Sequence, residues 1–283
     1  MTPYTLIDTP QGFSGIEKSW QTLGVSRVAL DFEEESNLHV YGEHLCLAQI
    51  FDGRDFYIVD VLATGPEALR AFLEGPMEKV MFDCSADSAL IRRSCSIRLR
   101  SVCDLRVMAR LLGFENGLNA LIERNLGITV ETRADKRRSQ MSNWMVRPLN
   151  PAQIEYALND VRYLLCLRQS LMKELSKDPE LVRRSGSLMK RCAEPVHPDR
   201  PGWERLPGFR KMDRQTRNLL IRLYNARDEI ARGRNSPPSY VISKESLVAM
   251  AGQGKPVGVS GLSEAEKKII EAAFAPPVSS KSG

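Results

Sequence analysis

The sequence predicts an α/β layer fold followed by a small all-helical unit. Three observations predict it. Short apolar runs between residues 28 and 61 are separated by Gly, Asp and Asn, as in a meander of strands. From residue 66 to residue 126, strand-like and helix-like runs alternate. Beyond a proline-studded break, only helical periodicity returns.

The elements follow in order. Val28–Phe32, Leu45–Phe51 and Phe56–Val61 read as strands, the last two joined by Asp52-Gly53, a pair suited to a tight hairpin turn. Pro66–Leu73 predicts a short helix, Lys79–Asp83 a fourth strand, Ser85–Arg93 a helix, and Ser101–Asp104 a fifth strand. Leu105–Leu112 and Gly117–Leu126 predict two more helices. Residues 127–150 are polar and irregular, and carry Arg133, Lys136, Arg137 and Arg138. Pro151 then opens a long helix, because proline suits a first turn and Asn150 before it can cap. Ile154, Ala157, Leu158, Val161, Leu164, Leu165, Leu171 and Leu175 give that helix one apolar face, along which the stem of Arg168 can lie.

Pro179, Gly186, Pro195, Pro198, Pro201 and Pro207 read as a linker and surface arm. Arg214–Arg232, Lys244–Ala251 and Ser263–Phe274 predict the helices of the second unit, with Ser263 as a cap, and Ala275–Gly283 reads as a frayed end. The expected boundaries are 1–176 for the large domain, 177–206 for the linker, 207–275 for the helical domain and 276–283 for the tail. The sequence shows no internal repeat.

Composition narrows the function classes. No apolar run reaches the roughly 18 residues of a membrane span, and Met1–Trp20 lacks a basic-then-apolar leader, so a cytoplasmic protein without a membrane partner is expected. The six cysteines are scattered with no Cys-x-x-Cys pair, and three histidines offer no metal-ligand spacing, so buried free thiols are expected and zinc is not. Residues 181–283 hold 19 basic and 10 acidic groups, whereas residues 1–180 hold 21 and 25. An acidic body with a basic tail suits a protein that meets a polyanion while reserving carboxylates for another task.

Three patterns carry chemistry. Asp31 and Glu33 alternate on a strand and so share a face, where two carboxylates repel unless a cation lies between them. Tyr156 and Asp160 stand one helical turn apart, and a phenol beside a carboxylate can orient a water. Asp87 falls just past the fourth strand, where a helix begins; Asp83 and Asp104, also at strand ends, compete with it as a third site for acid.

The order Asp-x-Glu, a lone Asp, then Tyr-x-x-x-Asp resembles the DEDDy 3′→5′ exonucleases, and the flanking text resembles their ribonuclease D branch. The flanking matches are Leu45-Cys-Leu-Ala-Gln-Ile50, Trp144-Met-Val-Arg-Pro-Leu149, Gln153 and Tyr156-Ala-Leu-Asn-Asp160-Val-Arg-Tyr-Leu. The resemblance covers residues 20–175. It implies a ribonuclease H-like mixed sheet flanked by helices, and two divalent cations, Mg²⁺ or Mn²⁺, held by Asp31, Glu33, Asp87 and Asp160, with Tyr156 orienting the attacking water. It implies a single-stranded RNA 3′ end as partner, release of nucleoside 5′-monophosphates, and a role in trimming transfer RNA and other stable RNA. Phe82 departs from the pattern, standing where many ribonuclease D proteins carry His. The stretch Phe82–Leu90 instead resembles the Egalitarian-like branch, whose members include RNA-binding adaptors that have lost catalytic acids. A non-catalytic adaptor and a DNA 3′→5′ exonuclease are therefore the competing readings.

The basic tail has its own resemblance. Leu219–Arg232 and Asn235–Leu247 resemble the helical HRDC domain shared by RecQ-type helicases and ribonuclease D. That resemblance implies a nucleic-acid-holding role, with Arg214, Arg217, Arg227, Arg232 and Arg234 as candidate phosphate contacts.

Overall fold

A computed structural model describes residues 2–130, 142–194, 200–257 and 260–275. Its contacts divide the chain into two units, Met1–Glu35 with Glu43–Val196, and Ser36–Gly42 with His197–Gly283. The first unit is built on six strands: β1 (Thr5–Ile7), β2 (Arg27–Ser36), β3 (Glu43–Phe51), β4 (Phe56–Asp60), β5 (Glu78–Met81) and β6 (Val102–Asp104). They form one mixed sheet in the order β1-β4-β3-β2-β5-β6. β3 and β4 are antiparallel; β1 runs parallel to β4, and β5 parallel to both β2 and β6.

The hairpin between β3 and β4 forms where Asp52-Gly53 predicts it. Gly53 has φ 96°, a conformation that costs glycine little, and Asp52 Oδ1 accepts from the amides of Arg54 and Asp55 at 2.8 Å each. Its other oxygen accepts from Trp20 Nε1 and the Tyr57 hydroxyl. Burial alone would raise the Asp52 carboxyl, but these donors outweigh it and hold the group below its ordinary value.

Residues 1–26, to which the sequence reading assigned no element, carry β1 and α1 (Pro10–Leu23). The signals are local and short: Thr9 caps the Gly12 amide, Pro10 opens the helix, and Gly24 closes it at φ 68°. Phe13 and Trp20, seven residues apart and so on one face of that helix, are fully buried. The helices α2 (Val61–Thr64) and α3 (Arg70–Glu74) bracket a turn of 3₁₀ helix, so the predicted Pro66–Leu73 helix is real but broken. α4 (Ser85–Cys95), α5 (Leu105–Leu111) and α6 (Leu118–Leu126) lie close to the predicted spans.

Two readings need correction. The helix opened by Pro151 is not one element to Leu175 but two, α7 (Pro151–Arg162) and α8 (Leu164–Leu175), meeting at Tyr163. The two halves feed mainly different cores, with Val161 near the end of α7 already in the second. Ile154, Ala157 and Leu158 pack with Cys46, Leu47 and Ile58 of the sheet, whereas Leu164, Leu167 and Leu171 pack with α5 and α6. The start of α7 is as expected, with Asn150 and Gln153 completing a reciprocal cap. The segment 177–206 is also more than a linker, because Pro179–Ala193 forms a 15-residue helix, α9. Pro179 sits in its first turn, where proline is tolerated, and Gly186 stands in open space, so neither breaks it. Met189, with the partly buried Leu181, Leu188 and Cys192, joins the core of the first unit, and Ser88 Oγ donates to Ala193 O.

The second unit centres on α10 (Arg214–Arg234), against which α11 (Pro238–Val241), α12 (Lys244–Gln253) and α13 (Glu264–Phe274) pack. Ser263 and Glu266 complete the predicted cap of α13. Tyr41, from the segment Ser36–Gly42 that belongs to this unit, donates its hydroxyl to Asp228 at 2.7 Å. No described helix is long and apolar enough to cross a membrane.

Candidate active site and metal centre

The site begins with the alternation of β2. Val28, Leu30 and Phe32 point into one hydrophobic cluster and Ala29 into another, so the strand is buried on both faces. Asp31 and Glu33 continue the face of Ala29. Opposite them stands Asp160, in the last turn of α7. Ligand oxygens of Asp31, Glu33 and Asp160 lie within 4.8 Å of one another, and each side chain is partly buried. Tyr156, one turn earlier on α7, hydrogen-bonds Asp160 and rests against Trp144, ring centroids 6.2 Å apart.

Asp87 occupies the first turn of α4. It is close enough to raise Glu33 electrostatically, yet the tight oxygen cluster among the described residues comprises only Asp31, Glu33 and Asp160. The competitors are accounted for otherwise. Asp104 is buried and accepts from three backbone amides, those of Asp83, Cys84 and Arg106, at 2.8–3.0 Å. Asp83 is exposed and pairs with Arg106 at 3.4 Å. The Arg106 guanidinium in turn covers the ring of Phe82, its carbon 5.6 Å from the ring centre.

The electrostatics of the cluster suit a cation. Burial first, then the charges of Asp31, Asp160, Asp87 and Glu34, hold the Glu33 carboxyl well above the usual carboxylate range. Burial, followed by Glu34, Asp104 and Asp83, pushes Asp87 up to about 7. Burial and the charges of Asp160, Glu33 and Asp31 also raise the Tyr156 phenol, which therefore keeps its proton. Carboxylates that resist ionisation because they crowd one another are relieved by a hard divalent cation, and an all-oxygen donor set suits one.

Gln49 is a site residue that the sequence reading did not single out. It is fully buried in β3, and its Nε2 donates to Asp31 Oδ2 at 2.9 Å, fixing one carboxylate oxygen. The available signal was a lone amide in the apolar run Leu45–Phe51.

In the second unit, Arg214 is exposed at the start of α10 and borders two hollows. One, about 640 Å³, is also lined by Gln215, Asn218 and Arg222; the other, about 420 Å³, by Trp203, Phe209 and Arg217. Arg232 is exposed, contacting Tyr41 and Asp228. Arg234 grips Glu266 with two nitrogens. Arg227 contradicts its expected role: it is 4 % exposed, donates to Ile242 O and stacks over Tyr224, so it is a core residue. The basic run 133–138 lies outside the described residues.

Residues 4–176 match the family model described as 3′-5′ exonuclease, and residues 216–268 match that of the HRDC domain. Ribonuclease D of Haemophilus influenzae is 30% identical over 263 residues, covering 86% of this chain and 63% of that protein. The chain spans just over three fifths of the length of the first curated relatives it matches. Among solved structures, Escherichia coli RNase D superposes with a TM-score of 0.72 at 24% identity, covering 98% of this chain and 76% of that one. Trypanosoma brucei RNase D, solved in complex with an RNA, U12, gives 0.56 at 22% identity, with coverages of 71% and 74%. The chain belongs to the 3′-5′ exonuclease family, in its ribonuclease D-like form with an HRDC domain after the nuclease domain.

Proposed function

We propose that the chain is a cytoplasmic, metal-dependent 3′→5′ exoribonuclease that removes nucleoside 5′-monophosphates from single-stranded 3′ ends during maturation of transfer RNA and other stable RNA. The observation that carries this reading is the convergence of Asp31, Glu33 and Asp160, with Tyr156 one helical turn away, inside a domain of the 3′-5′ exonuclease family. The relatives named ribonuclease D and the RNA-bound trypanosome structure favour RNA over DNA.

Asp31, Glu33, Asp87 and Asp160 would hold two divalent cations, Mg²⁺ or Mn²⁺. Bound there, such cations supply the charge that activates water and offsets negative charge on the phosphate and the leaving oxygen. The side chains do the rest. Tyr156 keeps its proton at neutral pH, donates a hydrogen bond to Asp160 and offers its oxygen lone pairs to the attacking water. Gln49 holds one oxygen of Asp31 so that the other is presented to the cluster. Water oxygen bonds to phosphorus, the bond to the 3′ oxygen breaks, and the chain left behind ends in a 3′-hydroxyl. Arg214, Arg217 and Arg232 are the phosphate contacts of the second unit. Trp203, partly buried beside Arg214 and Arg217 with the buried ring of Phe209 packed against it at 5.0 Å between centroids, offers a face on which an unpaired base stacks.

The test is digestion of a 5′-labelled single-stranded RNA with Mg²⁺, with Mn²⁺ and with EDTA, beside a DNA of the same sequence. A ladder that shortens from the 3′ end, with mononucleotide product and arrest by EDTA, is the expected result. Faster loss of the DNA would overturn the choice of sugar, and no cleavage with either cation would overturn the nuclease reading.

A further inference from the structure

We infer that Arg147 is a positioning residue for Tyr156, acting through Trp144; the inference rests on the exonuclease reading above. The guanidinium of Arg147 has all five of its N–H groups engaged. Nε donates to Asp60 Oδ2 at 2.5 Å, and Nη2 to Asp60 Oδ1 at 2.8 Å and to Cys46 O at 3.2 Å. Nη1 donates to Trp144 O at 2.7 Å and Val146 O at 2.9 Å. Five donors in one plane therefore meet acceptors on three segments: β3, the end of β4, and the loop that leads into α7.

The sheet end of this clamp is rigid, because Asp60 faces Leu47, the residue after Cys46, across the β3–β4 ladder. The loop end is fixed at Trp144, whose carbonyl the clamp holds and whose indole is 1 % exposed. That indole lies tilted 36° to the Tyr156 ring, in the same cluster as Ile154, Ala157 and Leu158. A second tie keeps the loop from swinging: Gln153 Nε2 donates to Asn143 O, and Met145 N donates to Asn143 Oδ1. α7 sets where the Tyr156 backbone lies; Trp144 sets how far the ring leans and so where its hydroxyl stands against Asp160. A lysine at 147 keeps the charge but has no planar fork, so it cannot hold all three segments.

The test uses the full chain with a short RNA, and compares R147K, Y156F and the double variant. R147K is expected to lower kcat by about tenfold or more, as loss of an orienting partner does, with KM within about twofold. The double variant is expected to match Y156F alone, because a residue that acts only through the phenol has nothing left to act on. The near-ultraviolet circular dichroism of R147K is expected to lose the same band that W144F loses, with the far-ultraviolet spectrum unchanged. Multiplied losses in the double variant, wild-type kcat in R147K or in Y156F, or a retained Trp144 band would each overturn the inference while the wild type stays active. An inactive wild type overturns the exonuclease reading itself and takes the positioning role with it.

Discussion

Asp31 and Asp160 stand in a crowded cluster of carboxylates, a cost to the fold that the proposed chemistry would use. Burial, and after it their charges, hold the Glu33 carboxyl above its usual range, and a divalent cation among the three carboxylates would relieve that repulsion. Two consequences have opposite signs. Asp31→Asn and Asp160→Asn are each expected to lower the hydrolysis rate at least about a hundredfold, since a charge worth several kcal/mol in the transition state is lost. In EDTA the same variants are expected to melt no lower than wild type, because one member of a repelling set has been neutralised. Rate measurements and thermal melts on the same samples check both; near-normal rates would sink the site assignment. The residue scale also shows the reach of spacing arguments. Asp31-x-Glu33 and Tyr156-x-x-x-Asp160 share their faces because strand and helix periods demand it. Nothing in spacing could separate Asp87 from Asp104, which the fold does by giving Asp104 three amides to accept.

At the scale of elements, the end of α3 shows a buried charge used as a cap. Lys79 of β5 is fully buried, and its ammonium donates to Phe72 O and Gly75 O at 2.9 Å each. Phe72 O also accepts from the Gly75 amide at 3.3 Å, so the ammonium adds a second donor at the helix end and satisfies the carbonyl of the residue that closes it. Burial lowers the Lys79 pKa from 10.5 to about 8. Between those values the unfolded chain keeps a proton that the native chain has released, so this group adds stability as pH rises. Its cost is fully present below pH 8. Lys79→Met removes the titration, so the stability of wild type relative to the variant is expected to grow by about 2 kcal/mol between pH 8 and pH 9.5. Denaturant melts of the two proteins at both pH values measure it, and a constant difference would mean that the ammonium is not desolvated as the structure shows. Elements were legible in the sequence where caps and period agreed, as at Asn150-Pro151 and Ser263. They were missed where the signal was a single short stretch, as in α1. The helix α9 was missed because Pro179 and Gly186 look like breakers, although one sits in a first turn and the other faces open space.

At the scale of the whole chain, charge is unevenly placed, with the basic surplus in residues 181–283. Replacing Arg214, Arg217 and Arg232 together with alanine is expected to weaken RNA binding and flatten the slope of log affinity against log salt by about 2, since each lost contact to single strands removes about 0.7. Arg227→Ala is expected to lower the melting temperature instead and leave the slope alone, because its guanidinium is buried against Ile242 and Tyr224. Titrations at four salt concentrations separate the two effects, and an unchanged slope in the triple variant would make those arginines surface packing.

The sequence by itself determined the fold class, the hairpin at Asp52-Gly53, the carboxylates of β2, the Tyr156–Asp160 pair and the helical character of the second unit. These are properties of short range, set by side-chain period, turn chemistry and caps acting over a few residues. Tertiary structure alone decided which arginines are surface and which are core, why Asp104 has no free role beside Asp87, and where the long helix divides. It alone brought Gln49 to Asp31 and Arg147 to Asp60, Cys46 and Trp144, the contacts on which their proposed positioning roles rest. Each of these depends on what a side chain meets from a distant part of the chain. Such burial and hydrogen-bond partners arise only when segments 18 to 101 residues apart in sequence are brought together.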